Sequence, residues 1–268
     1  VVGQTNPKTE AFNVHARIPK LPIGVGLSVI NDKIGFQGSL VIRGNFNYQI
    51  SLDRRGSFLS LGVDLGMAQR NYEGSFFNPL DPGDPQIPVG AATDFKFDAG
   101  FGAYYSNPQF NNLWVGVSTS HLTAPSFQYQ SPVQGAPIIQ SSMARHLHIM
   151  GGIEIFPMGP SWAIQPAVYA KFTNVVKPSI DLNVRAVKDN KLALGFSYRT
   201  GPFADAFVLM GGMYVKRELY VGYAYDINFT NRVVSNAMVG SHELIAQYCF
   251  SLSKPVKPEI ILRTPRFL

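Results

Sequence analysis

Apolar and polar residues alternate with a period of two along most of this chain. In "SFLSLGVDLGMAQR", residues 57–70, Leu59, Leu61, Val63, Leu65 and Met67 share one face of an extended strand, and Ser60, Gly62, Asp64 and Gly66 share the other. The same interleaving sets Phe12, Val14, Ala16 and Ile18 against Asn13, His15 and Arg17. It sets Phe46, Tyr48 and Ile50 against Asn45, Asn47 and Gln49, and Ile180, Leu182 and Val184 against Asp181, Asn183 and Arg185. Period two, sustained over segments of about ten residues bounded by turn formers, predicts an all-β chain. The predicted strands are 9–18, 22–31, 35–51, 56–69, 95–105, 112–120, 143–156, 161–172, 178–187, 191–199, 204–215, 217–227 and 241–251. Such lengths suit tilted membrane strands, whereas strands of soluble folds cluster at about five to six residues.

The gaps between these strands sort by length. The three longest, 70–94, 121–142 and 228–240, are separated by even numbers of strands and so emerge at one end, while the short gaps at 52–55, 106–111, 157–160 and 188–190 emerge at the other. Bacterial membrane barrels show that asymmetry, with short periplasmic turns and longer extracellular loops. The expected fold is therefore an antiparallel transmembrane β-barrel of the outer membrane. Thirteen strands is an odd number where a closed barrel normally has an even one, so about fourteen are expected, with the first strand missing from this chain. Residues 1–252 form the barrel in this reading, and 253–268 form a periplasmic tail. The Leu59–Met67 row then faces lipid, and the alternate residues face the lumen.

Composition agrees with that expectation. Charged residues are 15% of the chain and aromatics 12%, against about 25% charged in an ordinary soluble domain. No apolar run approaches the roughly 20 residues of a spanning helix. The formal charge of +6 is scattered, which speaks for solvation and against a nucleic-acid track. Cys249 is the sole cysteine, so no intrachain disulfide can form. Tyr104, Tyr105, Trp114, Trp162, Tyr198, Tyr220, Tyr223 and Tyr225 lie near strand ends, as in aromatic girdles.

Candidate chemistry is sparse. Asp64, Asp98, Glu154, Arg185 and Asp226 are expected to face the lumen, where opposite charges can pair and plug it. Ser241, His242 and Glu243 are consecutive, so they alternate between faces and cannot form a Ser-His-acid relay. His146 and His148 share a face and could approach a metal with Glu154, but two-residue spacing is a weak signal, and lumen-facing polar residues near a strand end are the expected reading. His15 and His121 stand alone. No catalytic residue, metal or cofactor is assigned. "NPLDPGDPQIP", residues 78–88, lacks the ligand alternation of a calcium loop; its prolines predict a rigid extracellular excursion around Asp81, Pro82, Gly83, Asp84 and Pro85. Pro255, Pro258 and Pro265 exclude a regular helix from the basic tail, which reads as an extended strap.

"PIGVGLSVINDKIG" at 22–35, "DPGDP" at 81–85, "LALGFSYRTG" at 192–201, "LYVGYAYD" at 219–226, "SHEL" at 241–244 and "TPRFL" at 264–268 together resemble the PorP/SprF family of outer-membrane proteins in the type IX secretion system. The resemblance implies an integral barrel in the outer membrane of Bacteroidota. It implies a role in export or surface anchoring of secreted adhesins with a C-terminal sorting domain, as in gliding motility, and contact with a periplasmic ring lipoprotein. Similar endings in the family make Arg263, Pro265, Arg266 and Phe267 the expected partner-binding residues of the tail. Outer-membrane lipids are the remaining expected partner. The alternatives are a passive outer-membrane transporter of small solutes and, more remotely, an outer-membrane hydrolase.

Overall fold

A computed structural model describes residues 7–35, 37–73, 91–129, 139–156, 161–201, 205–228 and 240–250. They form a single antiparallel sheet of 13 strands and a separate two-stranded hairpin. In chain order the strands are β1 (Lys8–Arg17), β2 (Ile23–Ile34), β3 (Gln37–Ser51), β4 (Phe58–Glu73), β5 (Ala91–Asn107), β6 (Leu113–Ser120), β7 (Ser126–Tyr129), β8 (Ile139–Ser142), β9 (His146–Gly152), β10 (Trp162–Thr173), β11 (Ser179–Lys188), β12 (Leu192–Thr200), β13 (Ala206–Tyr214), β14 (Leu219–Asn228) and β15 (Gly240–Tyr248). Every strand of the large sheet pairs with its neighbour in sequence, except that β6 pairs with β9 past the intervening hairpin β7–β8. Strands β1 and β15 are its two edges, and among the described residues no helix is long and apolar enough to cross a membrane.

All thirteen predicted strands correspond to strands of the large sheet. The β7–β8 hairpin is an addition, lying in a stretch expected to be loop. Four-residue strands, "SFQY" and "IQSS", are too short for alternation to register as a signal. Strand β9 ends at Gly152, earlier than expected, and Met143 at its predicted start belongs with the hairpin.

Register carries the alternation across the whole sheet. Val14, Leu27, Gly44, Leu65 and Ala99 stand in one cross-strand row, and Ala16, Val25, Phe46, Val63, Phe101 and Thr119 in the next. Farther on, Gly151, Val168, Leu182, Tyr198, Phe207 and Ile227 continue the same face. This face is apolar and uncovered by protein: Leu65 is 55% exposed, Phe97 57% and Leu182 54%. Soluble monomers rarely expose apolar patches beyond a few hundred Å². The opposite face is polar, with Asn13, Ser28, Arg43, Gly66 and Asp98 forming one of its rows.

Antiparallel order places the β2–β3, β4–β5, β6–β9, β10–β11, β12–β13 and β14–β15 connections at one end, including the three longest. At the other end the β11–β12 turn is tight. Asp189 and Asn190 both have positive φ (51° and 53°), and Lys191 N–H donates to the Lys188 carbonyl at 2.9 Å. Lys188 pairs with Leu192, so three residues, 189–191, make the connection.

Candidate functional site

The polar face concentrates its charge on β3, β4 and β5. Arg43 Nη2 donates to Asp98 Oδ2 at 2.7 Å, and Arg43 Nε stands 3.4 Å from Asp64 Oδ1. Asp98 is fully buried, so its charge requires partners. It has three: Arg43, His121 Nδ1 at 2.8 Å, and the Thr123 hydroxyl, which donates to Oδ1 at 3.3 Å. Gly66 and Gly100 make this packing possible. A Cβ on Gly66 would strike the Ile42 carbonyl oxygen and lie 2.8 Å from Arg43 Cα, and one on Gly100 would strike the Asp64 carboxylate.

His121 therefore does not stand alone, contrary to expectation. It leaves β6 with positive φ (57°) and turns its ring onto the polar face. There it lies edge-on to His146, with centroids 5.7 Å apart; His146 stacks on His148, and His148 on Tyr169. The ladder is held by hydrogen bonds of His148 Nδ1 with Tyr169 Oη at 2.7 Å and of Nε2 with Ser120 Oγ at 3.1 Å. Among the described residues, no group of three His, Cys, Asp or Glu is placed to hold a metal ion.

From this cluster the chain runs into the β7–β8 hairpin, which lies on the polar face instead of extending away from the sheet. Phe127 is fully buried, and Tyr129 and Met143 nearly so, packed with Val41 and Ala68 of the sheet and with Tyr72. Arg70 joins the two layers. Its guanidinium lies 5.5 Å above the Phe127 ring centroid, Nη1 donates to Ser141 Oγ, and its carbonyl accepts from Tyr129 Oη at 3.3 Å. The base of the segment is tied by Leu122 N–H to the Ala99 carbonyl (3.0 Å), Thr123 Oγ1 to the Phe97 carbonyl (3.1 Å) and Arg145 Nε to the Leu122 carbonyl (2.9 Å).

The other singled-out charges lie elsewhere. Arg199 Nη1 reaches over buried Ala206 to Asp226 Oδ2 at 2.8 Å, with its Nε 3.2 Å from Asp181 Oδ1. Arg185 donates from Nε and Nη2 to Gln165 Oε1 at 2.8 and 2.6 Å. Glu154 follows β9 in the short-turn connection, where it accepts from Asn112 at 2.8 Å and from Gln165 at 3.1 Å. Charges thus meet between strands one or two pairings apart in the same sheet. Arg43, Arg70, His121 and Arg199, which sequence reasoning did not select, complete these clusters; strand parity places all but His121 on the polar face.

Three of the expected girdle aromatics are misplaced. Tyr104, Trp114 and Tyr220 share the polar face, in the rows of Ser60, Gly152 and Gln247. Tyr104 and Tyr105 are consecutive in a strand and cannot share a face. Ser241 and Glu243 lie opposite Asp226 and Ala224, whereas His242 lies opposite Tyr225 on the apolar face and bonds Tyr223 Oη at 2.6 Å. Asp81, Pro82, Gly83, Asp84 and Pro85, and the tail residues Arg263, Pro265, Arg266 and Phe267, lie outside the described residues.

Comparison with known proteins adds a family. The model of the family described as "Type IX secretion system membrane protein PorP/SprF" matches residues 2–248. No curated protein matches the chain.

Proposed function

Because the chain belongs to the PorP/SprF family of type IX secretion system membrane proteins, we propose that it is a noncatalytic, integral barrel of the outer membrane that links surface cargo to periplasmic machinery. The observation that carries this reading is the broad apolar face of the 13-stranded sheet, exposed on strand after strand. Lipid is the solvent that such a face fits. In lipid an open sheet edge is too costly to persist, so the sheet closes. Strands β1 and β15 run in the same direction, being an even number of antiparallel steps apart. One further strand between them, from outside the described residues, keeps all pairs antiparallel and gives about fourteen.

The short-turn end then faces the periplasm and the long connections face outward. Asp64, Asp98, Glu154, Arg185 and Asp226 line the lumen and its periplasmic mouth. The loop holding Asp81, Pro82, Gly83, Asp84 and Pro85 stands outside the cell. Strand β15 ends at the short-turn end, which supports a periplasmic tail at residues 253–268. There Arg263, Pro265, Arg266 and Phe267 anchor a ring lipoprotein, while the outer surface serves a secreted adhesin with a C-terminal sorting domain. The test is purification from native outer membranes in mild detergent, with mass spectrometry of retained proteins, on the full chain and on one lacking 253–268. The full chain retains a lipoprotein or an adhesin, and the truncation loses the lipoprotein while keeping heat-modifiable mobility. Recovery of the barrel alone, under conditions that preserve other membrane complexes, overturns the reading in favour of passive transport.

A further inference from the structure

We propose that the β7–β8 hairpin is a latched constriction inside the barrel, held by Arg70 and Phe127, and that it keeps the lumen from serving as a general solute channel. The proposal rests on the reading that the polar face lines a lumen. A barrel of about fourteen strands approaches the sizes that leave an aqueous channel when nothing fills them. Here the connection between β6 and β9 turns back onto the polar wall. Its contact with that wall supplies Phe127, Tyr129 and Met143, three of the five buried hydrophobic residues of the core cluster.

Two attachments of different chemistry hold the segment. At its root, buried Asp98 is paired with Arg43 of the wall and His121 of the segment, so lifting the root leaves a buried carboxylate with one partner fewer. At the hairpin, Arg70 contacts β7 through the Phe127 ring and β8 through Ser141, bridging both strands at once. Phe127 and Ser141 are register partners, so one guanidinium holds one rung of the hairpin. Gln128 belongs to the alternate row and is exposed. Apolar hairpin residues seated on Val41, Ala68 and Tyr72 of the otherwise polar wall, beside an arginine that reaches both hairpin strands, are what docking of this hairpin explains. A loop directed into solvent would have no use for them.

The experiment measures ion conductance in planar bilayers and sugar-driven swelling of liposomes. It uses the full chain, the double variant Arg70→Ala/Phe127→Ala and the control Gln128→Ala on the free row of the hairpin. Heat-modifiable gel mobility is recorded for each. The native protein and Gln128→Ala are expected to conduct little, and the double variant to conduct severalfold more while remaining heat-modifiable. Equal, high conductance of all three heat-modifiable proteins overturns the constriction and leaves the barrel standing. Low conductance in a heat-modifiable double variant overturns the latch, because the lumen is then closed by other groups. Failure of the native protein to show heat-modifiable mobility overturns the barrel and the constriction together. Should the double variant alone lose its mobility, Ser141→Ala replaces it, removing one contact of Arg70 without emptying the apolar core; a rise in conductance supports the latch, and no rise overturns it.

Discussion

Single residues at the charged cluster hold elements together that would otherwise be linked only by backbone. Asp98 is the centre, with no exposure and three polar partners. Removing one member of a buried, hydrogen-bonded pair strands the other, at about 3–5 kcal/mol. Asp98→Ala is therefore expected to lower the unfolding free energy in detergent by about that amount, measured by urea titration followed by tryptophan fluorescence. The double variant Arg43→Ala/Asp98→Ala should cost less than the sum of the two single changes. Gly66 acts through space it leaves empty. Gly66→Ala brings a Cβ against the Ile42 carbonyl and the Arg43 backbone, atoms that cannot swing aside as a flexible side chain can. The expected outcome is a protein that loses its compact gel form at lower temperature than the native one.

At the level of elements, the short turns are cross-braced. Asp53 Oδ1 accepts from the backbone N–H groups of Arg55 (2.8 Å) and Ser57 (3.0 Å), while Gln109 Nε2 donates to Oδ2 at 3.1 Å. This joins the β3–β4 turn to the β5–β6 turn. The hydrogen bonds, those of Ser57 foremost, hold the Asp53 carboxyl below its ordinary value near 3.8. A carboxylate with a depressed folded value contributes stability above its ordinary value, and loses it as pH falls through the lower one. Asp53→Asn should thus reduce thermal stability at pH 7, and the difference from the native protein should vanish in strong acid, as measured by circular-dichroism melting in detergent at both pH values. The long-loop end is built otherwise. Its β7–β8 hairpin has only four residues per strand and owes its place to the wall beneath it, since an isolated hairpin is marginal in water.

For the molecule as a whole, the two faces of the sheet make opposite demands on their surroundings, and one pair of neighbouring positions tests both. Leu65 sits mid-strand between Gly44 and Ala99 on the apolar face; Asp64 lies beside it on the polar face. Leu65→Arg is expected to destabilise the protein in phospholipid bilayers by about 2–4 kcal/mol, the cost of a cation near the bilayer midplane. Leu65→Phe should be close to neutral. Equal effects of the two changes on unfolding from liposomes would mean that this face does not meet lipid.

Alternation by itself determined the all-β class, the thirteen strands of the sheet, the face each residue takes and the end at which each connection emerges, because period two is a local property that pairing with any neighbour preserves. The same parity put Asp64, Asp98, Arg185 and Asp226 on one side. What only the tertiary structure decided is which groups on that side meet. Arg43 finds Asp98 across two strand pairings, Arg199 reaches past β13 to Asp226, and His121 arrives from outside any strand. Those meetings depend on register and on the return path of the β6–β9 connection. Short segments such as "SFQY" and "IQSS" carry no period to announce that path, and the wall that receives them is assembled from residues tens of positions away.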